Sequence, residues 1–209
     1  MTELILIRHG ETDWNVEQRI QGHLDIALNA TGLAQAEAIG ERFLDQRVDV
    51  LISSDLGRAM QTANPIARAC RLPVIRDARL REHHLGVLQG KTREQAQQIV
   101  PKMFDVFRSR IADAPLEDGE SLEMFARRVI EALSEVAQTH RNKRIVAVTH
   151  GGVVDIAHRW VSNIALDAPR VSPIRNASIN TLRVSASGFE IVHWGDISHL
   201  PDNQAMDEM

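Results

Sequence analysis

The chain has 209 residues, of which 44% are hydrophobic and 25% are charged, and its formal net charge is −4 at pH 7. This length suits one domain, and the composition is that of a soluble globular protein, which excludes general disorder. The acidic balance disfavours a nucleic-acid partner, so an anionic ligand would need a local cationic pocket.

The cysteine count and the apolar runs indicate a cytoplasmic protein. Cys70 is the single cysteine and cannot form an internal disulfide, which is typical of a reducing compartment. The first apolar run, Leu4–Ile7, is interrupted by Arg8, unlike a signal peptide. No stretch approaches the ~20 apolar residues of a membrane span. We expect a small-molecule partner, no nucleic acid, no membrane, and a monomer or homodimer.

Short aliphatic runs predict three strands, Leu4–Ile7, Val48–Ser53 and Arg144–Thr149. Aliphatic strands without alternation are typical of a parallel sheet covered on both faces. Pro73–Arg76 is also strand-like. Near the C-terminus, Ser178–Ser185 and Phe189–Trp194 flank a short turn and predict a hairpin.

Helical spacing occurs between these strands. Asn29 is a candidate N-cap for a helix with the apolar positions Leu33, Ala36, Gly40, Phe43 and Leu44. A second helix is expected from Leu56 to Ala69, where Pro65 predicts a kink or a break. Ser121 is a candidate cap for a long helix with the stripe Leu122, Phe125, Val129, Ile130, Leu133 and Val136. A shorter helix should follow Gly151 and Gly152.

The alternation of strands and helices predicts an α/β fold. We expect a three-layer α/β/α sandwich with a mostly parallel central sheet, one antiparallel strand near the C-terminus and a small helical cap. The cap is the helical segment 92–118, which lies outside the alternation of a single domain at 1–200. The tail at 201–209 has little to bury and is expected to be frayed.

Arginine and histidine collect where the predicted strands end. The first strand leads into Arg8 and His9, the second leads to Arg58, and the third leads to His150 and Gly151. Ligands of open α/β sheets bind beyond the carboxyl ends of the strands, so these groups are expected to converge. Guanidinium groups bind phosphate oxygens, a neutral imidazole is a competent nucleophile, and a helix start at Gly151 would add N–H donors. The set predicts a phosphoryl-transfer site.

A phosphoryl transfer also needs a proton donor for the leaving oxygen. Glu82 is the candidate, because it follows the strand-like Pro73–Arg76 and is placed to reach the same mouth. The alternative is that Glu82 only holds an arginine in place.

These residues belong to a series of motifs that occur along the chain in the following order. They are Arg8-His9-Gly10-Glu11-Thr12 with Asn15, Gly22-His23-Leu24-Asp25, 28–32, 53–62, Leu80-Arg81-Glu82, Gly119-Glu120-Ser121 and Thr149-His150-Gly151-Gly152. This ordered set, which covers almost the whole chain, resembles the histidine phosphatase superfamily, also called phosphoglycerate mutase-like. The Arg-His-Gly triplet alone would be weak, whereas the ordered set is highly specific.

The resemblance implies a role for each matching residue. His9 would be the phosphorylated nucleophile, and Arg8, Arg58 and His150 would bind the phosphoryl oxygens. Asn15 would contribute a further hydrogen bond. Glu82 would protonate the leaving group and then activate the attacking water. His23 either contacts the pocket or is structural.

Three functions remain open. A phosphatase of the small branch, acting on small phosphorylated metabolites without a cofactor, is favoured because only 36 residues separate Glu82 from Gly119 and the chain has no tyrosine. Mutases of this family usually carry a longer insert there. The alternative is a cofactor-dependent phosphoglycerate mutase, which would need 2,3-bisphosphoglycerate and would exclude water. A non-catalytic phosphate-binding scaffold is the third.

Other polar motifs are expected to serve the structure. The stretch from Gly86 to Thr92 is one residue short of a nucleotide-binding phosphate loop and more simply forms a tight turn. His83 and His84 either line the mouth or lie in a solvated loop. No His-Glu-x-x-His or paired-cysteine motif occurs, so no metal site is expected.

Overall fold

A computed structural model describes residues 1–201, so most of the tail that is expected to be frayed lies outside the described residues. Its centre is a six-stranded sheet in the order β3-β2-β4-β1-β5-β6. The strands are β1 (Thr2–Arg8), β2 (Val50–Ser53), β3 (Val74–Arg76), β4 (Arg144–Thr149), β5 (Ile179–Ser185) and β6 (Gly188–Asp196).

The sheet is mostly parallel, as the aliphatic runs predict. β4 pairs in parallel with both β1 and β2, and β2 pairs in parallel with β3. β5 runs antiparallel to β1, and β6 runs antiparallel to β5, so β5 is the one reversed strand. The C-terminal hairpin is confirmed, with Ser185 opposite Gly188 at its turn.

Helices cover both faces of the sheet and make three layers. The helices of residues 1–201 are α1 (Asp13–Val16), α2 (Ala30–Arg42), α3 (Gly57–Cys70), α4 (Arg93–Ile99), α5 (Pro101–Arg108), α6 (Leu122–Thr139) and α7 (Gly151–Ser162). Ile5 and Ile7 pack with α2 and α3, whereas Leu4 and Leu6 pack with α6 and α7. Alternate β1 residues therefore face opposite helical layers, which explains why the strand is apolar throughout.

The predicted helix caps are confirmed. The Asn29 side chain accepts a hydrogen bond from the Gly32 N–H at 2.8 Å, and the Ser121 hydroxyl accepts one from the Met124 N–H at 3.2 Å. The predicted apolar stripe of α2 is only partly right, because Leu33 and Leu44 are exposed. α2 ends at Arg42, so Leu44 lies beyond the helix.

Pro65 does not break the second helix, contrary to one of the two expectations. α3 runs from Gly57 to Cys70 through this residue. The proline ring packs against Gly40 of α2, where an added Cβ would lie 2.7 Å from the Pro65 Cβ. The bare glycine backbone gives the buried ring its space.

The segment 92–118 begins with two short helices, α4 and α5, with Val100 between them, and it has no helix after Arg108, so the predicted helical segment is helical only in its first part. We call this segment the cap. Phe104 and Leu116 of the cap pack with Leu85 and Leu88 in an apolar cluster that is separate from the two sheet faces. The Gly86–Leu88 stretch forms a 3-10 turn with a positive φ of 48° at Gly86, in agreement with the predicted tight turn. None of the helices within residues 1–201 has the length and apolar character needed to cross a membrane.

The loop after β1 is fixed on the start of α2. Asn29 donates from its side chain to the Glu11 carboxylate at 2.9 Å, and the Glu11 N–H donates to the Gln35 side chain at 2.8 Å. Gly32 lies against the same loop, and a Cβ there would lie 2.0 Å from the Glu11 carbonyl oxygen. The lack of a side chain at Gly32 therefore sets how closely α2 approaches the residues that follow β1.

Gly32→Ala should lower the free energy of unfolding by about 1–3 kcal/mol, because the added methyl overlaps backbone that cannot rotate away. Alanine normally stabilises a helix interior by roughly 0.5–1 kcal/mol relative to glycine, so the sign would be opposite to helix propensity. Urea denaturation measures the change. Ala34→Gly, at an exposed position of the same helix, reports the propensity effect alone. A Gly32→Ala variant as stable as the original protein would contradict this packing.

Candidate active site

Parallel pairing brings the ends of β1 and β4 together. Arg8 lies opposite Thr149, and the His9 N–H donates to the Thr149 carbonyl at 2.9 Å. The next residue after Thr149 is His150, and the His9 and His150 ring centroids are 5.2 Å apart. The convergence expected from the sequence is therefore present for both histidines.

The His9 ring has a defined tautomer. Its Nδ1 lies 2.7 Å from the Gly10 carbonyl oxygen, and only a protonated nitrogen forms that hydrogen bond. Nε2 is then left with its lone pair, and it accepts from the Arg58 Nε at 3.3 Å. The nitrogen beside the arginine is thus the one that carries the lone pair.

Burial and charge keep this imidazole neutral. Burial lowers the pKa of His9 well below its ordinary value of 6.5, and the positive charges of Arg58 and Arg8 lower it further. The hydrogen bond to Gly10 acts in the opposite direction and is the smaller influence. A neutral imidazole at physiological pH is the form that attacks phosphorus.

His150 is completely buried behind His9. Its Nε2 lies 2.8 Å from the Ser54 hydroxyl, whereas its Nδ1 has no hydrogen-bond partner among residues 1–201. Burial and then the Arg58 charge lower the pKa of His150 well below 6.5. Ser54, the anchor of this ring, was not singled out from the sequence, although it lies within the matching motif 53–62.

Arg58 lies in the first turn of α3, at the N-terminal end of the helix. Its Nη1 and Nη2 donate to the carbonyls of Leu24 and Gly22, each at 2.8 Å. The Asp25 carboxylate accepts from the Gly57 N–H at 2.7 Å and so ties the same loop to α3. The Gly22-Leu24-Asp25 part of the motif therefore orients the arginine.

His23, predicted either as a pocket contact or as a structural residue, is placed beside the general-acid candidate. Its Nε2 lies 2.7 Å from the backbone carbonyl oxygen of Glu82, and its ring contacts His84 edge to face. This contact orients the Glu82 backbone.

The Glu82 carboxyl group lies at the N-terminus of α7. Its two oxygens accept from the N–H groups of His83 at 2.8 Å and Gly152 at 2.9 Å. A Cβ on Gly152 would lie 2.1 Å from Glu82 Oε1, so this glycine is what lets the carboxyl group approach the helix. Glu82, His9, Arg58 and Gly151 line one cavity.

His83 and His84, which follow Glu82, differ in their burial and in their contacts. His83 is buried, donates from Nε2 to the Glu120 carbonyl at 2.9 Å and stacks on Phe125, so it does not lie in a solvated loop. Burial lowers the pKa of His83 to about 4. His84 is half-buried against His23.

Asn176 is a site residue that the sequence did not reveal. Its amide nitrogen donates to the carbonyls of His9 at 3.1 Å and Gly10 at 3.3 Å and to the Asn15 side chain at 3.3 Å. It is fully buried and lines the cavity, as does Asn15. Asn176 follows an irregular segment with no recognisable motif, so only the fold could show it.

Arg8 precedes His9 but is not among the residues that line the cavity. It is 1% exposed, and its Nη1 donates to the Ile174 carbonyl. Its positive charge reaches His9 and His150, whose pKa values it helps to lower.

The cavity has a volume of about 610 Å³ and extends from His9 to the cap. Among residues 1–201, no group of three histidine, cysteine, aspartate or glutamate side chains is arranged to hold a metal ion. We call the His9 end of the cavity its floor. The polar groups there are instead arginine, histidine and helix N–H groups, which together suit a tetrahedral anion.

Comparison with known proteins gives full-length relatives. The metal-independent phosphoserine phosphatase of Arabidopsis thaliana is 38% identical over 203 residues, which cover 96% of this chain and 84% of that protein. The probable phosphoglycerate mutase GpmB of Proteus mirabilis is 37% identical and covers 100% of this chain and 99% of its own length. The solved structure of Bacillus stearothermophilus YhfR superimposes with a TM-score of 0.87 at 33% identity, covering 95% of this chain and 99% of that one.

A sequence model of the histidine phosphatase superfamily (branch 1) matches residues 4–197, which include every site residue described above. The family match, the similar fold and the buried arginine and histidine side chains all indicate the same family. The chain belongs to the histidine phosphatase superfamily.

Proposed function

We propose that the protein hydrolyses phosphomonoesters of small metabolites through a phosphohistidine intermediate on His9. The observation that carries this proposal is the state of the His9 ring: Nδ1 is committed to Gly10, and Nε2 keeps its lone pair beside Arg58 at 3.3 Å. The relationship to a phosphoserine phosphatase supports the same reaction class.

In the first step His9 Nε2 attacks phosphorus and the bond from phosphorus to the ester oxygen breaks. Arg8, Arg58 and the Nδ1 of His150 stabilise the negative charge that spreads over the phosphoryl oxygens. Asn15 and the helix start at Gly151 add hydrogen bonds. Glu82, in its protonated form, gives its proton to the leaving oxygen, and an alcohol leaves.

In the second step water replaces the alcohol. The Glu82 carboxylate takes a proton from water, the water oxygen bonds to phosphorus, and the bond to Nε2 breaks. Inorganic phosphate leaves, and both His9 and protonated Glu82 are restored. No cofactor or metal ion takes part in this sequence of steps.

Phosphoglycerate mutase activity is the second candidate, and the GpmB relative favours it. That relative is covered over 99% of its length, so the shortness of the segment between Glu82 and Gly119 does not separate the two activities. A mutase would transfer the His9 phosphoryl group to a second hydroxyl and would depend on 2,3-bisphosphoglycerate. Assay of both reactions on phosphoglycerates, with and without the bisphosphate, distinguishes them.

His9→Ala should abolish hydrolysis of aryl phosphates, with a loss of at least about a thousandfold in kcat, because no other group replaces a covalent nucleophile. His193→Ala, at an exposed histidine of β6, is the matched control and should retain full activity. Residual turnover of His9→Ala within tenfold of the original protein would contradict the proposal. A chelator should leave the activity of the original protein unchanged.

Glu82→Gln should lower kcat/KM for alkyl phosphates by roughly 10²–10⁴-fold, the usual range for a lost general acid. The loss should be much smaller for para-nitrophenyl phosphate, because nitrophenolate leaves without a proton. Glu131→Gln, exposed on α6, is the control. Equal losses for both substrates would mean that Glu82 serves only to position its neighbours.

Arg58→Gln should raise the pKa of His9, because a positive charge that disfavours the imidazolium is removed. The folded pKa then moves up toward 6.5, and the neutral ring is lost at a higher pH on acidification. A titration of the His9 ring by nuclear magnetic resonance measures the shift. Arg68→Gln, at an exposed arginine of α3, should leave it unchanged. A lower pKa in Arg58→Gln would contradict the electrostatic account of the site.

A further inference from the structure

The cavity above His9 changes character toward the cap. Its floor is polar, whereas the loop after Glu82, the cap and the first turn of α6 together bring six apolar side chains into its lining. We call this surface the apolar wall, and its members are Leu85, Phe104, Phe107, Ile111, Leu116 and Leu122.

The inner part of the apolar wall is a packed structure. Leu85 and Phe104 are each 7% exposed, and Leu116 is 4% exposed, because they also form the apolar cluster of the cap. Phe107 packs near Phe104, with ring centroids 6.4 Å apart. The wall is therefore preformed, as binding surfaces for apolar ligands usually are.

Two members keep surface that a ligand can cover. Phe107 is half-buried, and Ile111 is 45% exposed although both line the cavity. Covering such surface with an apolar group is favourable in proportion to the area removed from water.

Two arginines that line the cavity, Arg110 and Arg19, already form hydrogen bonds with other groups of the protein. Arg110 donates to the Leu166 carbonyl at 2.6 Å and to Asp155 at 2.9 Å. Arg19 donates to the Gly90 carbonyl at 2.7 Å and to Glu17 at 3.0 Å. Arg93, Arg108 and Arg170 also line the cavity, and their charge attracts any phosphomonoester dianion whatever its alcohol.

We propose that the apolar wall selects phosphomonoesters whose alcohol or phenol carries a bulky apolar body, and that small polar phosphates are poor substrates. The phosphoryl group would lie on the His9 floor, and the apolar body would cover Phe107 and Ile111. This inference rests on the proposed phosphatase function and names its substrate class. A cavity of about 610 Å³ is larger than a three-carbon acid needs and suits a ligand of this size.

The test compares substrates that differ in apolar size and leave equally easily: ethyl against hexyl phosphate, and phenyl against naphthyl phosphate. The original protein should show a kcat/KM roughly 30-fold higher for the larger member of each pair, in line with the discrimination that a few apolar groups give. Phosphoserine should be turned over no better than ethyl phosphate.

Ile111→Ser should reduce the preference for hexyl over ethyl phosphate, measured as the ratio of their kcat/KM values, at least about fivefold. Ile99→Ser is the matched control, because Ile99 is 64% exposed on α4 and does not line the cavity. It should leave the preference intact. Phe107→Ala, checked for folding by urea denaturation, should have the same effect as Ile111→Ser.

Equal kcat/KM values within each pair, or faster turnover of phosphoserine, would overturn the substrate class and leave the phosphatase function standing. An Ile111→Ser variant with an undiminished preference would overturn the role of the apolar wall. Absence of turnover for every phosphomonoester, together with absence of phosphate on His9, would overturn the proposed function and this inference with it.

Discussion

His9 is held as a neutral ring between two buried arginines, and the rest of the site depends on this arrangement. Burial disfavours the imidazolium, and the charges of Arg58 and Arg8 disfavour it further. The same positive charges are those that a phosphoryl group requires. In the proposed reaction, one electrostatic environment therefore keeps the His9 nucleophile neutral and binds the phosphoryl group that it attacks.

The scaffold serves this environment in three places. Parallel pairing of β1 with β4 fixes the distance between the two histidines. The carbonyls of Gly22 and Leu24 hold the Arg58 guanidinium. The start of α7 holds Glu82 through Gly152, with a glycine where a side chain would collide with the carboxyl group. In the proposed reaction the groups at the sheet ends carry out the chemistry, and the apolar wall selects the substrate.

Much of the floor could be predicted from the sequence because it follows from strand ends. An aliphatic run followed by Arg8 and His9 places these residues at the carboxyl edge of a parallel sheet, and the same reasoning applies to His150. Contacts between distant segments could not be read in this way. Asn176 reaches His9 from an irregular segment, and His83 stacks on Phe125 of α6. The sequence likewise did not show that α3 continues through Pro65 or that the proline ring packs against Gly40 of another helix. The apolar wall likewise exists only after three segments have packed together.

The central claim is that a phosphoryl group passes through His9. The most direct measurement is to mix the protein with substrate, stop the reaction with alkali within the first turnover, and locate the phosphate by mass spectrometry of peptides. The account predicts one phosphate on the peptide that contains His9, stable in alkali and lost in acid. Phosphate on another residue, or none when turnover is under way, would contradict it.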